Sequence, residues 1–364
     1  MKDGKPPADG TPPHGGDVYR LARVLGVSLA DLLDFSANIN PLGYPAGVPE
    51  AVAGALADLV HYPDRSCLEL RWEIAAYHGL SPEEVLVGNG STELIYLVVQ
   101  TLQPARALII APAFSEYQKA LNKAGVPYEF HLTTEAGGFT LDRLPEAPGA
   151  DLIFLANPAS PSGVLLQPER LLPWLEAWEA DGVWMVLDEA FIDFVEEASV
   201  KTCLRHFPHL IILRSFTKFF AIPGLRLGYL LAAPELVDRL AGVQEPWSVS
   251  TLAQAAGRAC LKDRAFIAQS RSLISKERRY LLKKLQALPG LTPFPGEANY
   301  LLVKLAHGSA PRLRERLLSR GIIIRDASNF MGLDNRFFRV AVRRREENDR
   351  LLIALRACLG QGEP

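Results

Sequence analysis

The stretch SFTKFFAIPGLRLGY, residues 215–229, sets a lysine among aromatic residues just after an apolar run at 210–213. Such a run reads as a buried strand, so Lys218 is expected in a poorly hydrated place. An ammonium there gives up its proton more readily, and the free amine is a nucleophile. Eight positions on, Arg226 suits either an anion or a carboxylate partner. Asp188, in VLDEAF, ends a very apolar segment; alone it reads equally as a turn cap. Asn157, in LANPASPSG, ends another, ahead of a proline-stiffened loop. Phe114, in APAFSEY, follows a third and would either stack on a planar ligand or pack in the core. Gly90, Ser91 and Thr92, in GNGST, occupy a strand-to-helix turn where backbone N–H groups and two hydroxyls can face an anion. That turn has neither P-loop nor dinucleotide-fingerprint spacing.

Taken together, these residues are what pyridoxal 5′-phosphate requires. Lys218 would bond to its aldehyde carbon. Asp188 would keep the ring nitrogen protonated, so that the ring takes up electrons. Gly90, Ser91, Thr92, Ser215 and Arg226 would hold the phosphate.

The elements that must position them alternate regularly. EVLVGNG leads into STELIYLVVQTL, ALIIAPAF into SEYQKALNKAG, and DLIFLANP precedes PERLLPWLEAWEA; VWMVLDEAF, HLIILRSF and RLGYLLAA follow. Apolar strands separated by helix-length segments predict an α/β fold with a largely parallel sheet covered on both faces. Ligands gather at the C-terminal strand ends of such sheets, where the chemistry-bearing residues lie. Helical patterns are expected at 17–25, 50–60 and 67–78, and DFSANINPLGYP reads as an ordered loop. After Pro246 a basic helical region, 251–287, leads to a compact α+β unit. Its expected elements are strand 299–304, helix 311–320, strands 322–325 and 337–342, and helix 346–359. The chain thus divides into an N-terminal arm and loop (1–45), a large cofactor-binding α/β domain (46–250), and a connecting helix with a small C-terminal domain (251–364). Residues 1–16 read as a flexible arm, and Arg343–Arg345 as a solvated helix cap.

Composition excludes several function classes. A 364-residue chain with 48% hydrophobic residues can build a large core. A formal net charge of −2 argues against a nucleic-acid partner. The four cysteines show no C-x-x-C spacing, so no metal site or disulfide framework is expected, and a reducing cytoplasm is. The polar, Pro/Gly-rich N-terminus is unlike a signal peptide, and no apolar stretch is long enough to span a membrane.

The sequence resembles the aspartate-aminotransferase-like (fold type I) enzymes, particularly the histidinol-phosphate aminotransferase branch and, within it, the L-threonine-O-3-phosphate decarboxylases. HGGDVYRLARVLG, DFSANINPLG, GNGSTE, DEAFIDF, RSFTKFFAIPGLRLGY, PWSVSTLA, ANYLL and FRVAVR carry the resemblance along nearly the whole chain. It implies a homodimer in which Tyr62, in HYPD, reaches the cofactor phosphate of the neighbouring subunit. It also implies that Arg339, helped by Asn157, clamps the substrate carboxylate, and that Arg325 and His14 meet a substrate phosphate. His14 and the loop beginning at Ser36 would provide a third grip. Two departures stand out. Phe191 occupies the place of a tyrosine whose hydroxyl meets the cofactor in aminotransferase relatives, and Ser160 and Ser162 replace Asn and Thr of the usual loop. The expected activity is decarboxylation of L-threonine O-3-phosphate to (R)-1-amino-2-propanol phosphate, in cobalamin biosynthesis. Histidinol-phosphate aminotransfer and non-catalytic cofactor binding are the alternatives.

Overall fold

The computed structural model describes residues 14–146 and 149–360. Most of the expected flexible arm, residues 1–13, lies outside the described residues. In chain order the strands are β1 (Leu33–Asp34), β2 (Val85–Gly88), β3 (Ala107–Ala111), β4 (Tyr128–Leu132), β5 (Leu152–Ala156), β6 (Trp184–Asp188), β7 (Leu210–Ser215), β8 (Gly228–Leu231), β9 (Leu291–Pro293), β10 (Tyr300–Leu305), β11 (Ile322–Ile323), β12 (Arg325–Asp326) and β13 (Phe337–Ala341).

Seven of them form one sheet in the order β2-β8-β7-β6-β5-β3-β4. Only β8 runs antiparallel to its neighbours β2 and β7; the other pairs are parallel. The central strands are unbroken apolar runs because both faces are covered, as parallel sheets require. Sequence reading overlooked β4. It lies at the sheet edge, and its YEFHL alternates polar and apolar residues with none fully buried.

A second, antiparallel sheet follows, β12-β13-β10-β9. The single strand expected over 322–325 is two strands serving different sheets. β11 pairs in parallel with β1, whereas β12 pairs with β13 and sets Arg325 directly opposite Arg339. The long helix expected over 251–287 is likewise two, Thr251–Lys262 and Arg264–Gln286. Asp263 breaks it: its carboxylate accepts from Phe266 N at 2.9 Å and caps the second helix. The 50–60 segment begins as helix Val48–Gly54 and tightens to a 3₁₀ helix, Ala55–Val60.

The basic run is more than a solvated cap. Arg345 pairs with the buried Glu277 at 2.9 Å, Arg343 with Glu347 at 2.5 Å, and Arg344 donates to the Pro41 carbonyl at 3.0 Å. It clasps the last helix, Arg345–Leu359, to the long helix and to the loop before residue 45.

Candidate active site

β7 ends at Ser215, and the chain turns at once into the one-turn helix Phe216–Phe219 that carries Lys218. Lys218 Nζ donates to Ser215 Oγ at 3.1 Å, and that oxygen lies 2.8 Å from Thr217 Oγ1. Burial pushes the lysine amine down to about 8; Asp188 opposes the shift, while Arg226 and Arg339 add to it. A substantial fraction is therefore neutral, and nucleophilic, near physiological pH.

Asp188 closes β6 and is buried. Its Oδ1 accepts from Ala190 N at 2.9 Å, and its Oδ2 from the Tyr117 hydroxyl at 2.5 Å. Burial raises its pKa, and the Tyr117 bond, Lys218 and the Ala190 amide pull the other way. Tyr117 escaped sequence reading. It stacks on Phe154 at 4.8 Å and meets Phe114 edge-on at 5.9 Å, and its only sequence signal was its place one turn after Phe114.

The GNGST turn sits at the start of the thirteen-residue helix Gly90–Leu102. Gly90 has φ +78°, and a Cβ there would lie 2.5 Å from Arg226 Nη2. A Cβ on Gly228 would meet Ser91 N at 2.4 Å. The two glycines let three segments converge. The helix N-terminus with Gly90, Ser91 and Thr92, the Arg226 guanidinium, and the Ser215–Lys218 turn meet there. Such a helix start favours an anion through its free N–H groups and dipole.

On the opposite side stand two arginines, both buried, on adjacent antiparallel strands. Arg339 Nη1 donates to Ser160 Oγ at 3.2 Å and Nη2 to the Ser36 carbonyl at 3.3 Å. With its amide turned to satisfy both groups, Asn38 Oδ1 accepts from both nitrogens at 3.3 Å. The guanidinium also lies 5.0 Å over the Tyr300 ring, which packs edge-on against Phe191 at 4.9 Å. Phe191 is in turn 5.7 Å from Lys218 Nζ, so amine and arginine face each other across two aromatic rings. Arg325 donates to the Asp326 carbonyl at 2.5 Å and to Asn329 at 2.7 Å, and lies over Phe330. Burial lowers both guanidinium pKa values to about 10, so both remain charged at neutral pH.

His14 Nε2 lies 2.8 Å from Glu116 Oε1, its ring is 5.4 Å from Phe114, and it shares a small cavity with Ser36 and Arg325. Ser36 is buried; its hydroxyl donates to Asp34 at 2.6 Å and accepts from Gly16 N at 2.9 Å. Asn157, just past the end of β5, is fully buried. Its amide pairs with the backbone of Leu166, Nδ2 to O at 3.0 Å and Oδ1 from N at 2.8 Å, and closes the proline-rich loop. Among the described residues it makes no hydrogen bond to Arg339; Ser160, three residues on, does. Tyr62 points outward, 78% exposed and stacked on Trp247 at 4.6 Å.

The donor set fits pyridoxal 5′-phosphate. A glycine-lined helix start beside an arginine can take a phosphate, a desolvated lysine can take a carbonyl carbon, and a buried carboxylate can face a ring nitrogen. Among the described residues no cluster of His, Cys, Asp or Glu could hold a metal ion, and no helix is long and apolar enough to cross a membrane.

Comparison with known proteins agrees. The family model for aminotransferase class I and II matches residues 30–355. The chain is 41% identical to threonine-phosphate decarboxylase of Salmonella typhimurium, over 95% of this chain and 96% of that protein. Among solved structures, histidinol-phosphate aminotransferase from Clostridium acetobutylicum superposes with TM-score 0.86 at 32% identity, covering 91% of this chain and 100% of that one. L-threonine-O-3-phosphate decarboxylase from Porphyromonas gingivalis does so with TM-score 0.82 at 27% identity, covering 90% and 99%. The chain belongs to the class I and II aminotransferase family and has its fold type I architecture.

Proposed function

We propose that this protein is a pyridoxal-phosphate-dependent decarboxylase converting L-threonine O-3-phosphate to (R)-1-amino-2-propanol phosphate and CO2, a step of cobalamin biosynthesis. The observation that carries the proposal is the pair Arg325 and Arg339, register partners on β12 and β13, with Arg339 near enough to Lys218 to lower its pKa. A short substrate with a carboxylate at one end and a phosphate at the other matches two guanidinium forks, each able to make paired hydrogen bonds. The 41% identity to a threonine-phosphate decarboxylase supports the same choice.

The cofactor, when bound, supplies an electrophilic carbon for the substrate amine and a ring that takes up the electron pair left as CO2 departs. Gly90, Ser91, Thr92, Ser215 and Arg226 would hold its phosphate. Phe114 and Asn157 would line its place. Asp188, braced by Tyr117, would keep a proton on the ring nitrogen. Arg339 grips the substrate carboxylate, with Ser160 and the Ser36 carbonyl fixing the guanidinium. Arg325 takes the substrate phosphate, with His14 closing from the arm. Held at amine, carboxylate and phosphate, the substrate would be kept from rotating about its Cα–N bond, and these grips would orient its carboxylate for loss as CO2. Lys218 then delivers a proton to Cα, replacing the lost carboxylate. Phe191 brings no hydroxyl to the cofactor, which distinguishes this site from its aminotransferase relatives.

The protein is a homodimer in this reading, with Tyr62 reaching into the partner's site. Its support is the exposure of Leu56, Leu59, Val60 and Tyr62, close together in the chain, with the exposed Trp247 stacked on Tyr62. Its place is the cytoplasm, where the free thiols Cys67, Cys203, Cys260 and Cys358 persist. The division at residues 45 and 250 belongs to the same proposal. Each of the two larger units carries one sheet, and residues 34–40 join them.

Histidinol-phosphate aminotransfer is the second reading, favoured by the superposition at TM-score 0.86. A substrate panel separates the two. The proposal expects turnover of L-threonine O-3-phosphate and none of histidinol phosphate with 2-oxoglutarate. The reverse pattern would replace it.

A further inference from the structure

Lys218 sits in a helix of a single turn, closed by Phe220 N donating to the Phe216 carbonyl at 3.2 Å. The last carbonyls of any helix lack partners within it, and in a buried place they must find them elsewhere. Here both go to one residue remote in the chain. Asn40 N donates to the Lys218 carbonyl at 3.0 Å. Asn40 Nδ2 donates to the Phe219 carbonyl at 2.8 Å and to Ser270 Oγ, on the long helix, at 2.7 Å. Asn40 Oδ1 accepts from Leu42 N at 3.1 Å. At 2% exposure, Asn40 has committed both polar atoms of its side chain to this corner.

The other end of the same loop holds the substrate-side arginine. The Ser36 carbonyl accepts from Arg339 Nη2 at 3.3 Å, and the Phe35 carbonyl from Ala341 N at 2.9 Å. The loop therefore spans from the strand of Arg339 to the helix of Lys218. A lysine side chain has four rotatable bonds and cannot fix its own ammonium, so its reach depends on where its backbone stands.

We propose that Asn40 is a positioning residue: by capping the Lys218 helix from the loop that also bonds Arg339, it sets the distance between the amine and the substrate's carboxylate grip. The inference rests on the reading of Lys218 as the cofactor lysine.

Asn40→Asp tests it. The change is nearly isosteric and keeps the backbone N–H and the Oδ1 acceptor, but removes the donor to Phe219 and Ser270. A misplacement of about an ångström costs roughly 10²-fold in rate, so kcat for CO2 release is expected to fall about 30-fold with KM within about threefold. The apo-protein should also join the cofactor to Lys218 about tenfold more slowly, read by borohydride reduction and peptide mapping. A merely structural role would lower the melting temperature and leave both the kcat-against-KM split and the joining rate of the folded fraction unchanged. Wild-type values for both in Asn40→Asp overturn the proposal. Should that variant not fold, Ser270→Ala, which removes only the helix link, is expected to show the same two changes at about threefold, and no change there overturns it. Cofactor found on a lysine other than Lys218 in the wild-type protein would instead remove the premise.

Discussion

Two buried charge clusters lie back to back on strands β6 and β7, and they are built on opposite principles. On one side, Asp188 faces Lys218, with Arg226 and Arg339 close enough to lower the lysine further. Positive charge is in excess there. On the other side, the fully buried Arg214 reaches Glu196 at 2.5 Å, Glu189 at 3.4 Å and Asp193 at 3.7 Å. Lys201 and Arg271 also pair with Glu196, so three cations meet three carboxylates. The alternation of strand side chains produces this division. Asp188 and Glu189 are neighbours, as are Arg214 and Ser215, and each pair sends one member to either cluster. The rear cluster balances its own charge and ties strand β7 to the 189–201 segment and the long helix. The front one is left short of negative charge, which anionic ligands would supply in the proposed function.

The largest effect expected of this contrast is at Lys218. Lys218→Ala should reduce kcat by about 10³-fold, in line with the loss of a positioned proton donor and nucleophile. It should also release the cofactor on dialysis, with little change in melting temperature. Near wild-type turnover would show that the front cluster is not the reacting one.

Arg214→Met should do the opposite. It takes the cation from Glu189 and Asp193, while Glu196 keeps Lys201 and Arg271; removing one member of a buried ion pair costs about 3–5 kcal/mol, to be read from urea unfolding. A normal unfolding midpoint with a large loss of kcat would move Arg214 into the catalytic machinery.

Asp188→Asn should lower kcat by about 10²-fold, because its charge matters most as electrons enter the ring. Asp193→Asn, in the rear cluster, should act chiefly on stability. Equal kinetic effects would erase the distinction between the faces.

A finer division concerns the arginines. Losing a charge-assisted hydrogen bond is worth about 1.5–3 kcal/mol, or roughly ten- to 150-fold in kcat/KM. Arg325→Gln should show that loss for threonine phosphate and not for free threonine, whereas Arg339→Gln should show it for both. Identical selectivity profiles would break the assignment.

The smallest effect is one of pH. Lys218 titrates at about 8 in the folded apo-protein, below its ordinary value of 10.5. Between these values the unfolded chain holds a proton that the folded one has released, so this group's contribution to stability rises with pH across that window. Correspondingly, the rate of joining pyridoxal 5′-phosphate to the apo-protein should climb through pH 8 and level off, instead of rising to pH 10.5.

How much of this was legible beforehand differs by region, for physical reasons. The strands carrying Asp188 and Ser215 announce themselves as apolar runs, because a sheet covered on both faces demands them. The lysine among aromatics is visible because so few structural roles need that combination. Tyr117 carries no local signal, and Ser160 shows only as a replacement in the loop; their contacts with Asp188 and Arg339 are encoded by no local pattern. Asn157 stands out by type at a strand end, whereas the pairing of its amide with Leu166, nine residues on, is written in no local pattern. The break at Asp263 was missed because an Asp inside a helical pattern is ordinary until its carboxylate turns back to cap the next helix.

The central claim is that the positive excess at the front cluster serves an amino-acid phosphate that loses its carboxylate. The direct measurement is release of labelled CO2 from carboxyl-labelled L-threonine O-3-phosphate by the purified holoenzyme, with no oxo-acid present. The account predicts many turnovers per site and one aminopropanol phosphate formed per CO2. No label released without 2-oxoglutarate, together with amino transfer when it is added, would contradict it.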